Sequence, residues 1–343
     1  MKLNTLTLTS GLLIGALSTG SHAANTHLPG FVEGAKVINV DNVQGQTDSI
    51  NGVIYKQVIT TRSARALHMD LLIPRNADKK PAILYFPGGG FTSADYNKFI
   101  DMRMALAKAG FVVAAVEYRV IPDVFPAPVT DAKAAVRYLR ANAEQYGIDV
   151  NKIGVLGDSA GGWLAQMLGT TNGDTVFDKG DYPEQSSDVQ AVATLYGISN
   201  LLTIGEGFPE NVQKVHESVS STEALLINGS AFRDFAGAAI HSDKQKALVA
   251  SPVNYIHGTK PPFLIMHGSK DALVSPLQSA QLYQALKKEN SPVEYLLLEG
   301  AEHGDIQWYQ PAVINHVVDW FKTNLGTTIQ KNTVLTSDAR DNL

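Results

Sequence analysis

Between Asn151 and Leu168 the chain reads NKIGVLGDSAGGWLAQML, and this stretch constrains everything around it. Ile153, Val155 and Leu156 read as a strand buried on both faces, and Ala160 to Leu168, small residues first and apolar ones after, as a helix packed against it. Gly157-Asp158-Ser159-Ala160-Gly161 joins the two as a Gly-x-Ser-x-Gly corner. In such a corner the serine holds a strained strand-to-helix turn, and the flanking glycines omit Cβ atoms that would collide. The Ser159 hydroxyl then stands clear of the backbone, and the helix behind it offers free N–H groups and a positive dipole end to developing negative charge. A turn without chemistry is the plainer alternative, because the pentapeptide by itself is a weak signal. Partners elsewhere in the chain decide against it.

A strand leading into a packed helix needs neighbouring units of the same kind, and the chain supplies them. Val53 to Ile59 and Leu67 to Ile73 alternate like half-buried, antiparallel edge strands, with His68 a solvated strand residue. Ala82 to Phe86 is a continuous apolar run ending in Pro87-Gly88-Gly89-Gly90-Phe91, where glycines let the backbone approach a ligand and turn N–H groups into a cavity. Phe111 to Val116 is the next buried strand, followed by a helix along Ala132, Val136, Leu139 and Ala143 that Gly147 closes. Ala191 to Tyr196 follows the helix behind Ser159. From about 198 to 250, scattered Gly, Pro, Ser and Asn without a sheet pattern predict an inserted cap of short helices, Ser221 to Ile227 among them, with His216 and His241 solvated. Pro262 to Gly268 and Val293 to Leu298 complete the strands, and an amphipathic helix over Ile306 to Leu325 closes the core. This order predicts an α/β fold with a mostly parallel central sheet, helices on both faces and a small cap.

We therefore expect one domain over 51–325, preceded by an arm at 24–50 and followed by a polar tail at 326–343. A formal net charge of -5 argues against a nucleic-acid partner, and the absence of cysteine excludes disulfides, thiolate metal sites and a Cys nucleophile. Met1-Lys2, the apolar run Leu12 to Leu17 and the small-x-small site Ser21-His22-Ala23 resemble a secretory signal peptide over 1–23. The expected destination is the periplasm or the exterior. The run is too short for the roughly 20 residues a bilayer requires, and no later segment is long and apolar enough, so stable membrane insertion is not expected.

Two strand-end loops carry the partners that a serine nucleophile requires. A hydroxyl attacks well only when an imidazole takes its proton, and the imidazole needs a carboxylate to fix its tautomer and offset its positive charge. Asp271 follows the Pro262–Gly268 strand and His303 follows the Val293–Leu298 strand, both at carboxyl ends, where open parallel sheets place their ligands. His267 is the alternative base, although it ends its strand ahead of Asp271 and reads as packed. Glu299 and Glu302 are alternative acids, less favoured because they lie so close to His303 along the chain.

The ordered set of Pro87 to Phe91, Glu117-Tyr118-Arg119 with Phe125-Pro126-Ala127, Gly157 to Gly162, Ala250-Ser251-Pro252, Gly268 to Asp271 and Glu302-His303-Gly304 resembles the hormone-sensitive-lipase-like esterases and their small acetyl-xylan and feruloyl esterase relatives in the α/β-hydrolase superfamily. Those proteins show the same Ser, Asp, His chain order. The resemblance runs from about Lys80 to Leu325. It implies an α/β-hydrolase fold and an exported carboxylesterase working through an acyl-enzyme, with Ser159 as nucleophile, His303 as general base and acid, and Asp271 as orienting carboxylate. It further implies the amides of Gly89, Gly90 and Ala160 as oxyanion donors, no metal or cofactor, and a small-molecule ester as substrate, acylated carbohydrate included. One departure stands out: Pro87 replaces the histidine usual in the family, so the stiffness of proline is expected to hold the glycine loop. A cap without a long apolar helix predicts short acyl groups; Phe91 beside the glycine loop and Trp163 on the elbow helix are candidates to narrow the acyl pocket, with Trp163 equally suited to the core.

Two other functions share parts of this pattern. A serine peptidase of prolyl-oligopeptidase type has the same triad but usually a large propeller domain, for which no room exists before the first core strand. A non-enzymatic binding protein on a hydrolase scaffold typically loses the nucleophile or base, and both are present here.

Overall fold

A computed structural model describes residues 28–327. The expected signal peptide and residues 328–343 of the expected tail lie outside the described residues. Residues 28–42 fall in a separate unit and consist of turns and coil, most of them exposed. The second unit, from Val43, carries the sheet.

Eight strands build one sheet, β1 (Thr47–Ile59), β2 (Ala64–Pro74), β3 (Lys80–Phe86), β4 (Val112–Val116), β5 (Ile148–Asp158), β6 (Ala191–Leu195), β7 (Phe263–Gly268) and β8 (Val293–Leu298), in the order β1-β2-β4-β3-β5-β6-β7-β8. β1 and β2 run antiparallel at one edge, and β4, β3, β5, β6, β7 and β8 pair in parallel. β1 takes in the end of the expected arm, because Arg75 forks onto both oxygens of Asp48 at 2.9 and 2.6 Å and pins the start of the strand to the end of β2. Polar Thr47, Asp48 and Ser49 gave no alternation by which to read that extension.

Helices α1 (Ile100–Lys108), α2 (Ala127–Ala141), α3 (Ala143–Tyr146), α4 (Ala160–Thr170), α5 (Glu210–His216), α6 (Thr222–Asn228), α7 (Lys244–Val249), α8 (Pro276–Lys288) and α9 (Pro311–Leu325) follow in chain order. Successive strand side chains point to opposite faces, and so the sheet feeds two cores. Ala82, Leu84 and Phe86 of β3 pack with α2, α4 and α8, whereas Ile83 and Tyr85 pack with α1 and α9. Every residue of β3, β4, β6 and β7 is buried, as their unbroken apolar runs require.

Two helix expectations change. The closing helix is a 3-10 turn over Ile306–Tyr309 followed by α9, since Pro311 has no N–H to continue a helix and suits the first helical position, while Gln310 before it is extended. The helix expected to reach Gly147 stops at Ala141, where the Asn142 side chain bonds the Tyr138 carbonyl at 2.9 Å; Gly147, at φ 63, closes the single turn of α3 instead. Between β6 and β7 the cap is made of α5, α6, α7 and short 3-10 turns, and α5 buries none of its residues. His216 is not solvated: its Nδ1 lies 2.6 Å from Glu223 Oε1, and Phe208 stacks on its ring.

Candidate active site

Parallel pairing carries the ends of β3, β5, β6, β7 and β8 to one edge of the sheet, with Phe86 opposite Gly157, Asp158 opposite Leu195 and Gly268 opposite Leu298. Ser159 follows β5 at φ 53 and ψ -120, a conformation that costs on the order of 1–3 kcal/mol and persists because its surroundings fix it. Its N–H bonds the Leu195 carbonyl at 2.9 Å. A Cβ at Gly157 would overlap the Gly161 carbonyl, and one at Gly161 would overlap the Phe86 carbonyl, so both elbow glycines answer close backbone approaches.

His303 Nε2 lies 2.9 Å from Ser159 Oγ, and His303 Nδ1 lies 2.7 Å from Asp271 Oδ2. With Nδ1 donating to a carboxylate, Nε2 of the neutral ring is the acceptor facing the serine hydroxyl. Asp271 Oδ1 takes the N–H groups of Leu273 and Val274, each at 2.9 Å. Burial pushes the Asp271 carboxyl up, but hydrogen bonds from His267, His303 and Val274 outweigh it and hold the group well below the usual carboxylate range. The edge of Tyr196 packs on the His303 ring at 4.6 Å, and Trp308 packs on Tyr196 at 4.5 Å while bonding the Glu302 carbonyl at 2.8 Å. The imidazole is thus braced through its ring and its loop. Glu299 and Glu302 are exposed, and His267 is fully buried behind Asp271.

The glycine loop is braced from outside itself. Tyr118 donates its hydroxyl to the Pro87 carbonyl at 2.6 Å, and the Gly88 N–H donates to Asp158 Oδ1 at 3.0 Å. Asp158 Oδ1 also accepts from Tyr85 at 2.8 Å, and Lys98 reaches the Gly88 carbonyl at 3.3 Å. Hydrogen bonds to the Pro87 carbonyl and from the next peptide thus restrain the loop in addition to the ring of Pro87. A Cβ on Gly88 would come within 2.6 Å of Asp158 Oδ2 and 2.9 Å of Ser159 Cβ, which keeps the loop tight against the serine. Among the described residues the N–H groups of Gly89, Gly90 and Ala160 have no hydrogen-bond acceptor, whereas that of Gly88 is taken. Burial raises the Asp158 carboxyl above the usual range, partly offset by Tyr85 and the Gly88 N–H.

Phe91 and Trp163 do not narrow a pocket. Both are buried, their rings meet edge to face at 5.4 Å, and Trp163 Nε1 bonds the Ala250 carbonyl at 2.8 Å. Sequence reasoning missed Tyr118, Lys98, Tyr196 and the supporting part of Asp158. Asp158 stood inside the elbow motif and Tyr118 beside a strand end, and those positions were the available signals. Among the described residues, no group of three or more His, Cys, Asp or Glu could hold a metal ion, and no helix is long and apolar enough to cross a membrane.

The BD-FAE family model matches residues 69–286. The chain belongs to this family. Its α/β-hydrolase fold is shared with a truncated carbohydrate esterase from gut microbiota, at 25% identity and a TM-score of 0.68 over 83% of this chain and 98% of that one. An acetyl ester-xyloside bifunctional hydrolase from Caldicellulosiruptor lactoaceticus aligns at 25% identity and a TM-score of 0.64, over 84% and 100% of the two chains. Among curated proteins of Mycobacterium tuberculosis, the probable carboxylic ester hydrolase LipM is 28% identical over 70% of this chain and 53% of its own, and the esterase LipC is 31% identical over 65% and 53%. The chain spans about half the length of these curated relatives. The family match stops short of His303, so Ser159 and Asp271 fall within it and the histidine beyond it.

Proposed function

We propose that this BD-FAE family member is an exported serine carboxylesterase for short-chain esters, acetylated carbohydrate foremost among them. The observation that carries the reading is the unbroken run of hydrogen-bond contacts from Asp271 through His303 to Ser159, at 2.7 and 2.9 Å. Ser159 Oγ attacks the ester carbonyl while its proton passes to His303 Nε2, and the new C–O bond gives a tetrahedral oxyanion. The free amides of Gly89, Gly90 and Ala160 stabilise that charge, electrostatic help of a kind worth about 10²–10³ in rate per donor. The carbonyl reforms, the alcohol leaves with the proton from His303, and water repeats the sequence to release the acid and free the serine. Asp271 stays ionised throughout and offsets the imidazolium charge.

Carbohydrate acetyl esters are favoured because both solved structures described above are named for activity on carbohydrate or acetyl ester-xyloside substrates. The signal-peptide pattern of residues 1–23 supports the export part of this reading. The test is a screen of purified protein on acetylated xylan, a feruloyl ester and simple aryl esters, paired with a fluorophosphonate probe. Labelling of Ser159 with turnover of acetylated xylan supports the whole reading. Labelling of a different serine removes the nucleophile assignment, and turnover of aryl esters alone removes the carbohydrate.

A further inference from the structure

His267 is completely buried at the end of β7 and takes no part in the steps above. Its Nε2 lies 2.9 Å from the Val274 carbonyl oxygen and 3.2 Å from Asp271 Oδ2. Both are acceptors, so this nitrogen carries a proton. Its Nδ1 lies 2.6 Å from Ser279 Oγ on α8, and with the ring proton already on Nε2 the serine hydroxyl donates to Nδ1. Ser279 thereby locks the tautomer that points N–H toward the catalytic loop. The oxygen that His267 faces is Oδ2, the same one that accepts from His303.

We propose that His267 is a positioning residue for the acid–base pair, its Nε2–H sharing Asp271 Oδ2 with His303 and Ser279 fixing the tautomer that makes this possible. The inference rests on the Ser159, His303, Asp271 reading. Its consequence is twofold. The second donor holds the carboxylate plane, and with it the His303 ring, in line with Ser159. It also draws electron density from Oδ2, which makes Asp271 a weaker acceptor toward His303. Titratable groups facing the pair are His267 on β7, Asp158 on β5, Tyr196 after β6, and Asp271 and His303 themselves. Of these, only His267 and His303 make side-chain contacts with Oδ2 of Asp271.

Two substitutions separate positioning from packing. His267→Asn keeps an oxygen for Ser279 but is too short to reach Asp271, whereas His267→Gln carries an amide nitrogen near the place of Nε2. For His267→Asn we expect kcat to fall about 10- to 100-fold, as for a small misplacement of a reacting group, with KM within about twofold. The acid limb of kcat/KM should move to higher pH, since Asp271 freed of its second donor holds the His303 proton more firmly. His267→Gln should restore most of the rate and return the limb. Wild-type kcat and acid limb in the Asn variant overturn the proposal, and so does equal impairment of Asn and Gln, the pattern of a purely structural histidine. Should the Asn variant not fold, a folded Gln variant with a displaced acid limb overturns it and one with an unmoved limb supports it. His303→Ala is the parallel control: if it stays active, the triad reading fails; if it is dead while His267→Asn is normal, only this inference does.

Discussion

The loops after β7 and β8 and the loop after β3 both serve Ser159, but they are held by different kinds of contact. On the acid–base side the working groups are side chains, and they hold one another: His303 on Asp271, Asp271 on two backbone amides and His267, His267 on Ser279. On the oxyanion side the working groups are backbone amides, which cannot position themselves. Pro87 and Gly88 are fixed instead by Tyr118, Asp158 and Lys98, none of which faces the substrate carbonyl in the mechanism above. Loss of a working side chain, which only the first side has, should therefore be close to all or nothing, whereas loss of a supporting contact on either side should be graded.

The largest effect tests the first half of that contrast. Ser159→Ala and His303→Ala should each lower kcat by about 10⁴–10⁶, and the double variant should be no worse than either alone, because the two act as a unit. Additive losses, measured with an aryl acetate, would show two independent contributions and dissolve the unit.

Asp271 comes next. Asp271→Asn should cost about 10⁴ in kcat, since an amide can neither hold the tautomer nor offset the imidazolium. The wild-type acid limb should fall with a slope of one proton, because Asp271, held well below the usual carboxylate range, stays charged and adds no second proton to it. The same depressed acid contributes to stability. That contribution is complete above the unfolded pKa of about 3.9 and is lost as pH falls through the lower folded value. Thermal unfolding of wild type against Asp271→Asn should accordingly differ most above about pH 4 and converge in stronger acid, where Asp271 is protonated in both states. A gap that persists unchanged into strong acid would assign the difference to packing rather than charge.

Smaller losses belong to the oxyanion side. Tyr118→Phe removes one hydroxyl from the Pro87 carbonyl and leaves the ring packed on Phe86 at 6.4 Å, so kcat should fall about tenfold with KM little changed. Lys98→Met, losing only a 3.3 Å contact from an exposed side chain, should cost less still. If Tyr118→Phe matched Asp271→Asn in severity, the contrast between the two sides would collapse.

That contrast also explains what could be read from residues alone. Ser159, Asp271 and His303 announce themselves because their chemistry depends on residue type and each lies in the turn or loop that follows a strand. Buried apolar runs gave β3, β4, β6 and β7 for the same reason, as burial on both faces leaves no alternative composition. Tyr118 and His267 carry no such mark, since a tyrosine or histidine at a strand end acquires its role only when a partner from elsewhere in the chain arrives: Pro87 from 31 residues away, Ser279 from 12. The cap was least legible. Its helices are short, α5 buries no residue, and the pairing of His216 with Glu223 depends on where two such helices happen to meet. Phe91 and Trp163 are in the core, the alternative kept open for Trp163, because an aromatic residue near a glycine loop or an elbow helix suits a pocket wall and a core equally well.

The smallest effect concerns acyl length. Each added methylene strengthens binding only if it is buried, by about 0.8 kcal/mol or roughly fourfold in kcat/KM. A sustained gain needs an apolar trough several carbons deep. Trp163, on the helix that Ser159 opens, and Phe91, at the end of the glycine loop, are spent on each other in the core, and Trp163 is fastened to Ala250. The cap contributes helices of seven, seven and six residues, none long enough to roof a trough. Along a series of aryl esters from acetate to palmitate, kept below micelle-forming concentrations, kcat/KM should therefore gain less than about twofold per carbon beyond butyrate and then fall. A steady fourfold rise past octanoate would mean that the cap rearranges to bury the chain, and specificity would then reside in the mobility of α5, α6 and α7 rather than in the sheet edge.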